Sequence, residues 1–123
     1  MKFIPDDIST GHAIQGYEQG EISVSGTRYC QSFVVLPEQI FADWRPATFQ
    51  DLLIEDFAFI ANLAPEIVIL GTGTTQYFPH PGLTQPLIDN RIGLEVMDTT
   101  AACRTYNILM SEGRRVAAAL FMI

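Results

Sequence analysis

The sequence predicts an α/β domain with an N-terminal antiparallel meander that packs on the sheet or continues it. Three observations lead there. Two apolar runs without alternation, Glu66 to Leu70 (EIVIL) and Arg115 to Met122 (RVAAALFM), read as strands covered on both faces. Between them, apolar residues recur at helical spacing, which is the β-α-β succession of an α/β sheet. The first third of the chain instead carries short segments separated by glycine turns. At 123 residues the chain has the length of one domain, so residues 1–123 are expected to form a single unit, with an irregular N-terminal segment over about 1–11.

The first strands are expected at His12 to Tyr17, Glu21 to Ser25 and Arg28 to Leu36, joined by turns at Glu18-Gln19-Gly20 and Ser25-Gly26-Thr27. Ile22 and Val24 alternate with Glu21 and Ser23, so one face is wet and the other dry. After Pro46, Thr48 and Asp51 have the spacing of a capping box. Phe49, Leu52, Leu53, Phe57 and Ile60 then form the apolar stripe of one helix, which Pro65 ends. Gly71-Thr72-Gly73 stops the strand that follows. A second helix is expected from Thr84 to Arg91, with Pro86 in its first turn, where an N–H has no helical partner to lose. Gly93 to Met97 reads as a second buried strand and Thr99 to Glu112 as a third helix. Gly113 is the residue expected to turn left-handed past that helix's end.

If the last three strands run parallel, the loops after Leu70 and Met97 leave the same edge of the sheet, where open α/β sheets place ligands. GTGTT and DTT then lie side by side, and SEGRR lies at the opposite edge. Glu112, Arg114 and Arg115 are expected to form a local surface ion pair.

Composition excludes several functions. Fourteen acidic against seven basic residues give a formal charge of −7, and no cationic run exceeds Arg114-Arg115. Displacing counterions from phosphates needs clustered cations, so neither nucleic acid nor an anionic membrane surface is an expected partner. No apolar stretch reaches the roughly 20 residues of a membrane helix, so direct insertion is not expected. The N-terminus fits neither a secretory signal nor an organelle presequence, so a cytoplasmic location is expected. Cys30 and Cys103 lack the spacing of a metal site or disulfide framework and are expected to be reduced. Charged residues make up only 17% of the chain, which leaves surface for a protein partner.

Two motifs carry candidate chemistry. GTGTTQ follows a strand, as a dinucleotide-binding turn does, but Gln76 stands where the third glycine is needed, and Pro79 and Pro81 delay the next helix. No cofactor is expected there, although the loop could take a small anion. Tyr77 and Phe78 could fold over such a ligand or pin the loop to the core. In DTTAACRTYN, Asp98 or Thr99 is the natural N-cap, and Ala101, Ala102 and Cys103 are small enough for close packing. Cys103 would need a base to act as a nucleophile, and only His12 and His80 exist to serve. A packed, inert thiol is the expected outcome. Arg104, Asn107 and Ser111 form a polar stripe expected to be solvated, while Ala102, Tyr106, Leu109 and Met110 face the core. No HxH, CxxC or HExxH is present, so no metal is expected. The candidate ligand-binding set is Gly71, Thr72, Gly73, Asp98, Thr99, Cys103, Arg104 and Asn107, and no residue is assigned a catalytic role.

PEIVILGTG and the C-terminal GLEVMDTTAACRTYNILMSEGRRVAAAL together resemble a small family of single-domain α/β proteins. That family includes bacterial and archaeal proteins of unassigned function, an adipogenesis-associated vertebrate protein and a mitochondrial assembly factor for respiratory complex I. The likeness runs from about Arg28 onward. It implies a three-layer fold around a mixed central sheet, no established catalysis, and assembly or scaffolding through protein contacts. Two readings follow: a non-enzymatic assembly-factor-like module serving respiratory-complex or membrane-protein biogenesis, or a protein that binds a small anion or metabolite at GTGTT and the start of the third helix, with catalysis left open.

Overall fold

A computed structural model describes residues 11–123; the expected irregular segment falls almost wholly outside them. Strands β1 (Ile14–Glu18), β2 (Glu21–Val24) and β3 (Thr27–Tyr29) form the expected antiparallel meander. Its first turn has Gly20 at φ 80°. Ile22 and Val24 are fully buried while Glu21 and Ser23 are half-buried, as their alternation requires.

The expected strand from Arg28 to Leu36 is two strands. It breaks at Cys30-Gln31-Ser32, β3 stays in the meander, and β4 (Phe33–Leu36) enters a second sheet. Tyr29 and Phe33 stack across the break with ring centroids 4.7 Å apart, tying the two sheets together where Cys30 and Gln31 pass through solvent. A short β5 (Gln39–Phe41), not anticipated, turns back on β4 as a hairpin.

The expected helix from Thr48 is also interrupted. Asp51 accepts from the Thr48 N–H and hydroxyl, so the capping box forms, but over one 3₁₀ turn at Phe49–Asp51. Leu52 then extends (φ −58°, ψ 132°) and buries its side chain, and α1 (Ile54–Asn62) starts afresh. Asp56 provides the reason. Its carboxylate, 3% exposed, accepts from Leu53 N–H at 2.8 Å and holds Arg45 in a two-point pair at 2.8 and 2.7 Å. A second helix start is thereby capped five residues after the first, and Leu53 is turned out to solvent.

Strand β6 (Ile67–Gly71), α2 (Gln85–Asp89, preceded by a 3₁₀ turn at Pro81–Thr84), β7 (Gly93–Met97), α3 (Thr99–Ser111) and β8 (Val116–Leu120) complete the chain. The five-stranded sheet has the order β5-β4-β8-β6-β7. β6, β7 and β8 are parallel, and β4 runs antiparallel to β8, so the sheet is mixed. β8 is central and buried at every residue, as expected. β7 is not: it is an edge strand whose residues are exposed or half-buried, because β6 is its only partner among the described residues.

The meander and α3 cover one face of this sheet, and α1 with α2 covers the other. Ile69, Ala118 and Leu120 pack with Ile14, Ile22 and Tyr106 on the first side; Val68, Leu70 and Ala119 pack with Phe57, Ile60 and Leu87 on the second. The domain therefore has three layers. Arg114 and Arg115 lie at the edge opposite the GTG loop, but they do not pair locally with Glu112. Arg114 bonds Glu66 at 2.7 Å, and Arg115 bonds Glu38 at 3.0 Å and the Leu63 carbonyl.

Candidate functional site

β6 and β7 end side by side, so the GTG loop and the start of α3 meet as their parallel directions require. Gly71 makes the approach possible: a Cβ there would lie 2.9 Å from Leu120 Cδ2 and 3.0 Å from both Thr99 Cα and Ala102 Cβ. Ala102, itself small and fully buried, is the other half of that contact. Gly73 takes φ 97°, where a side chain is strained.

Thr99 is buried, and its hydroxyl joins three elements. It accepts from Gly73 N–H at 2.8 Å and donates to the Phe121 carbonyl at 2.7 Å, while Thr99 N–H donates to the Gly73 carbonyl at 2.9 Å. Thr72 braces the loop from within: its hydroxyl donates to the Thr75 carbonyl at 2.7 Å and accepts from Tyr77 N–H at 3.2 Å. Asp98 is the N-cap, its carboxylate accepting from Ala101 N–H at 2.9 Å. Gly73 N–H and Ala101 N–H, two groups an anion would take, are therefore occupied by the protein's own side chains.

Of the candidate set, Gly71, Thr72, Gly73, Asp98 and Thr99 come together. Cys103, Arg104 and Asn107 lie further along α3 and serve other contacts. Cys103 is fully buried, and burial pushes its thiol up to about 12, against a smaller opposing pull from Arg104. Neither histidine reaches it: His12 Nδ1 pairs with Ser25 Oγ at 2.7 Å, and His80 Nδ1 accepts from Gly82 N–H at 3.0 Å. Arg104 donates to the Tyr17 hydroxyl at 2.9 Å.

Asn107 departs from the solvated stripe expected of it. It is 6% exposed, and its amide accepts from Ile14 N–H and donates to the Ile14 carbonyl, both at 2.8 Å, as a neighbouring strand would. Tyr106, beside it, donates to the His12 carbonyl at 2.7 Å. α3 thus ties down the start of β1 from the side away from β2.

Beyond the GTG loop lies an open cleft of about 330 Å³ between that loop and the 3₁₀ turn after Thr48. Phe49, Tyr77 and Phe121 give it aromatic walls, and Thr48, Thr74 and Thr75 offer hydroxyls. Phe49 lies 5.4 Å from the Tyr77 ring and 6.4 Å from that of Phe121. Tyr77 therefore pins the loop, while Phe78 projects into solvent at 73% exposure. No charged residue lines the cleft. It offers stacking surface and neutral hydrogen bonds, and no acid-base pair. Only Thr72 and Gly73 of the candidate set reach it. Sequence reasoning missed the Thr48–Phe49 and Phe121–Met122 walls, because both are distant in sequence and read as helix cap and core strand.

Among the described residues no group of side chains could hold a metal, and no helix is long and apolar enough to cross a membrane.

The fold and its uncharged cleft define a small three-layer α/β protein built around a mixed sheet, with the glycine loop serving to seat a helix. Comparison with known proteins gives the family. Residues 14–121 match the family described as protein of unknown function (DUF498/DUF598), and the chain belongs to it. It is 36% identical over 109 residues to mouse (Mus musculus) NADH dehydrogenase (ubiquinone) 1 alpha subcomplex assembly factor 3, which covers 87% of this chain and 58% of that protein. The chain thus spans little more than half of that relative's length. Among solved structures, a Bordetella parapertussis protein has a TM-score of 0.87 at 37% identity, covering 94% of this chain and 99% of that one. A Mth938-like domain from Bordetella pertussis has a TM-score of 0.83 at 31% identity, covering 99% and 92%.

Proposed function

We infer that this chain is a non-enzymatic protein-interaction module that assists assembly of a larger complex, a respiratory or membrane-bound one. The likeness to an assembly factor for NADH dehydrogenase carries the reading. The site is consistent with it: the invited nucleophile is buried, the helix N-terminus is capped internally, and the cleft has no charged group. Two unpaired cysteines, one of them exposed, suit a reducing compartment such as the cytoplasm. Affinity purification at native expression level should return a defined protein partner. Recovery of the chain alone under those conditions would overturn the reading.

A second reading has its own observation, the aromatic cleft, which suits a small neutral or flat molecule better than an anion. A ligand held at 100 times its dissociation constant adds about 2.7 kcal/mol to stability. A metabolite that raises the melting temperature of the wild type, and not that of a Thr75→Trp variant with the cleft filled, is the result this reading requires.

A further inference from the structure

The geometry points to the free edge of β7 as the place where an extended segment of a protein partner adds to the sheet, reading apolar, basic, apolar along successive residues. This rests on the interaction-module reading and names its surface. In the parallel register, Gly93, Glu95 and Met97 direct their backbone groups at β6, as the bonds from Gly93 N–H to the Glu66 carbonyl and from Thr72 N–H to the Met97 carbonyl show. Leu94 and Val96 therefore present theirs outward. The Val96 carbonyl does so visibly: it accepts from Gln76 Nε2 at 2.9 Å. That leaves both backbone groups of Leu94 and the Val96 N–H without a partner among the described residues, a short template for strand addition.

The side chains decide the occupant. Leu94 and Val96 are half-buried against the α1 and α2 layer, while Glu95 faces the α3 side, exposed and without an ion-pair partner among the described residues. α2 packs beside β7, and its Ile88 is 60% exposed. An added strand places its alternate side chains on the same faces, so it meets apolar surface opposite Leu94 and Val96 and a carboxylate opposite Glu95. A cation at the middle position is complementary. A second copy of β7 paired antiparallel about Glu95 would set two carboxylates against each other, which disfavours self-pairing.

The test uses the full chain and two synthetic peptides of alternating valine with lysine or with glutamate. The lysine peptide should slow amide exchange at Leu94 and Val96 and bind at least tenfold more tightly than the glutamate peptide. Glu95→Lys should reverse that order. Val96→Pro removes an outward N–H while sparing the ladder to β6, and should weaken binding at least tenfold with cooperative unfolding retained. Equal binding of both peptides, or protection away from β7, overturns the proposal. So does a concentration-dependent dimer abolished by Val96→Pro, since the occupant is then a second copy. In the native host, a partner recovered equally by wild type and Val96→Pro overturns the edge alone and leaves the module reading standing. Failure to recover a partner with either chain counts against the module reading, while the peptides still decide the edge.

Discussion

Asn107 is the residue on which the two sides of one layer depend. Its amide meets a buried N–H and a buried carbonyl of Ile14 at once, and leaving such groups unpaired costs about 1–3 kcal/mol each. Asn107→Leu should therefore lower stability by about 2–4 kcal/mol in urea unfolding and accelerate exchange of the Ile14 amide, with β6 and β8 unaffected. Periodicity marked Asn107 as polar and so as solvated; its real partner lies 93 residues away, a distance no local pattern reports. Cys103 was legible, because small residues around it signalled packing. Native protein should react with one equivalent of a thiol reagent at Cys30, and denatured protein with two. The Cys103 thiol is held neutral in the fold up to about 12 but ionises near its ordinary value once unfolded. Its contribution is therefore complete below about pH 9 and is lost as pH rises toward 12, by up to ~1.4 kcal/mol per pH unit. Tyr106 shifts in the same direction, so Cys103→Ala should flatten part of the alkaline slope and leave a remainder.

Among the elements, α3 is placed by what β6 lacks. Gly71→Val would drive methyl groups into Thr99, Ala102 and Leu120, and should cost about 1–3 kcal/mol or lift the helix from the strand. Circular dichroism with urea unfolding would detect either, and unchanged stability would mean the helix can slide. α1 depends on a carboxylate instead. Asp56→Ala removes the cap at Leu53 and the anchor of Arg45, with an expected loss of about 1–2 kcal/mol for the cap alone. The apolar stripe through this region was legible, but the stop and restart at Leu52 was not, because two caps five residues apart read as one helix with a polar turn. β7 shows the converse failure: its apolar run looks like that of β6, and only topology makes it an edge.

For the whole molecule, the alternation of helix and strand after Pro46 located each later strand and α-helix and the edge where the loops meet, but neither of the two 3₁₀ turns. The mixed sheet was not derivable from it, since the direction of β4 depends on a crossing at Cys30-Gln31-Ser32 that carries no turn signature. The cleft was half legible for the same reason, its walls coming from segments over 20 residues apart on either side of the loop. Stability should be uneven across the layers. β3, with Thr27 and Arg28 exposed and only β2 beside it among the described residues, should exchange its amides at low opening free energy, whereas β8 should exchange only on global unfolding. Uniform protection would show that meander and sheet open together.

β8 also imposes an order of events on synthesis. It lies between β4 and β6, both made earlier, and α3, which secures β1, immediately precedes it. On the ribosome, β4 and β6 emerge with no strand to join them, and the meander emerges with no helix to hold it. The contacts of β4 and β6 with β8, and of β1 with α3, can therefore close only after residues 99–120 have left the exit tunnel, so the nascent chain waits, apolar strands uncovered, for its keystone.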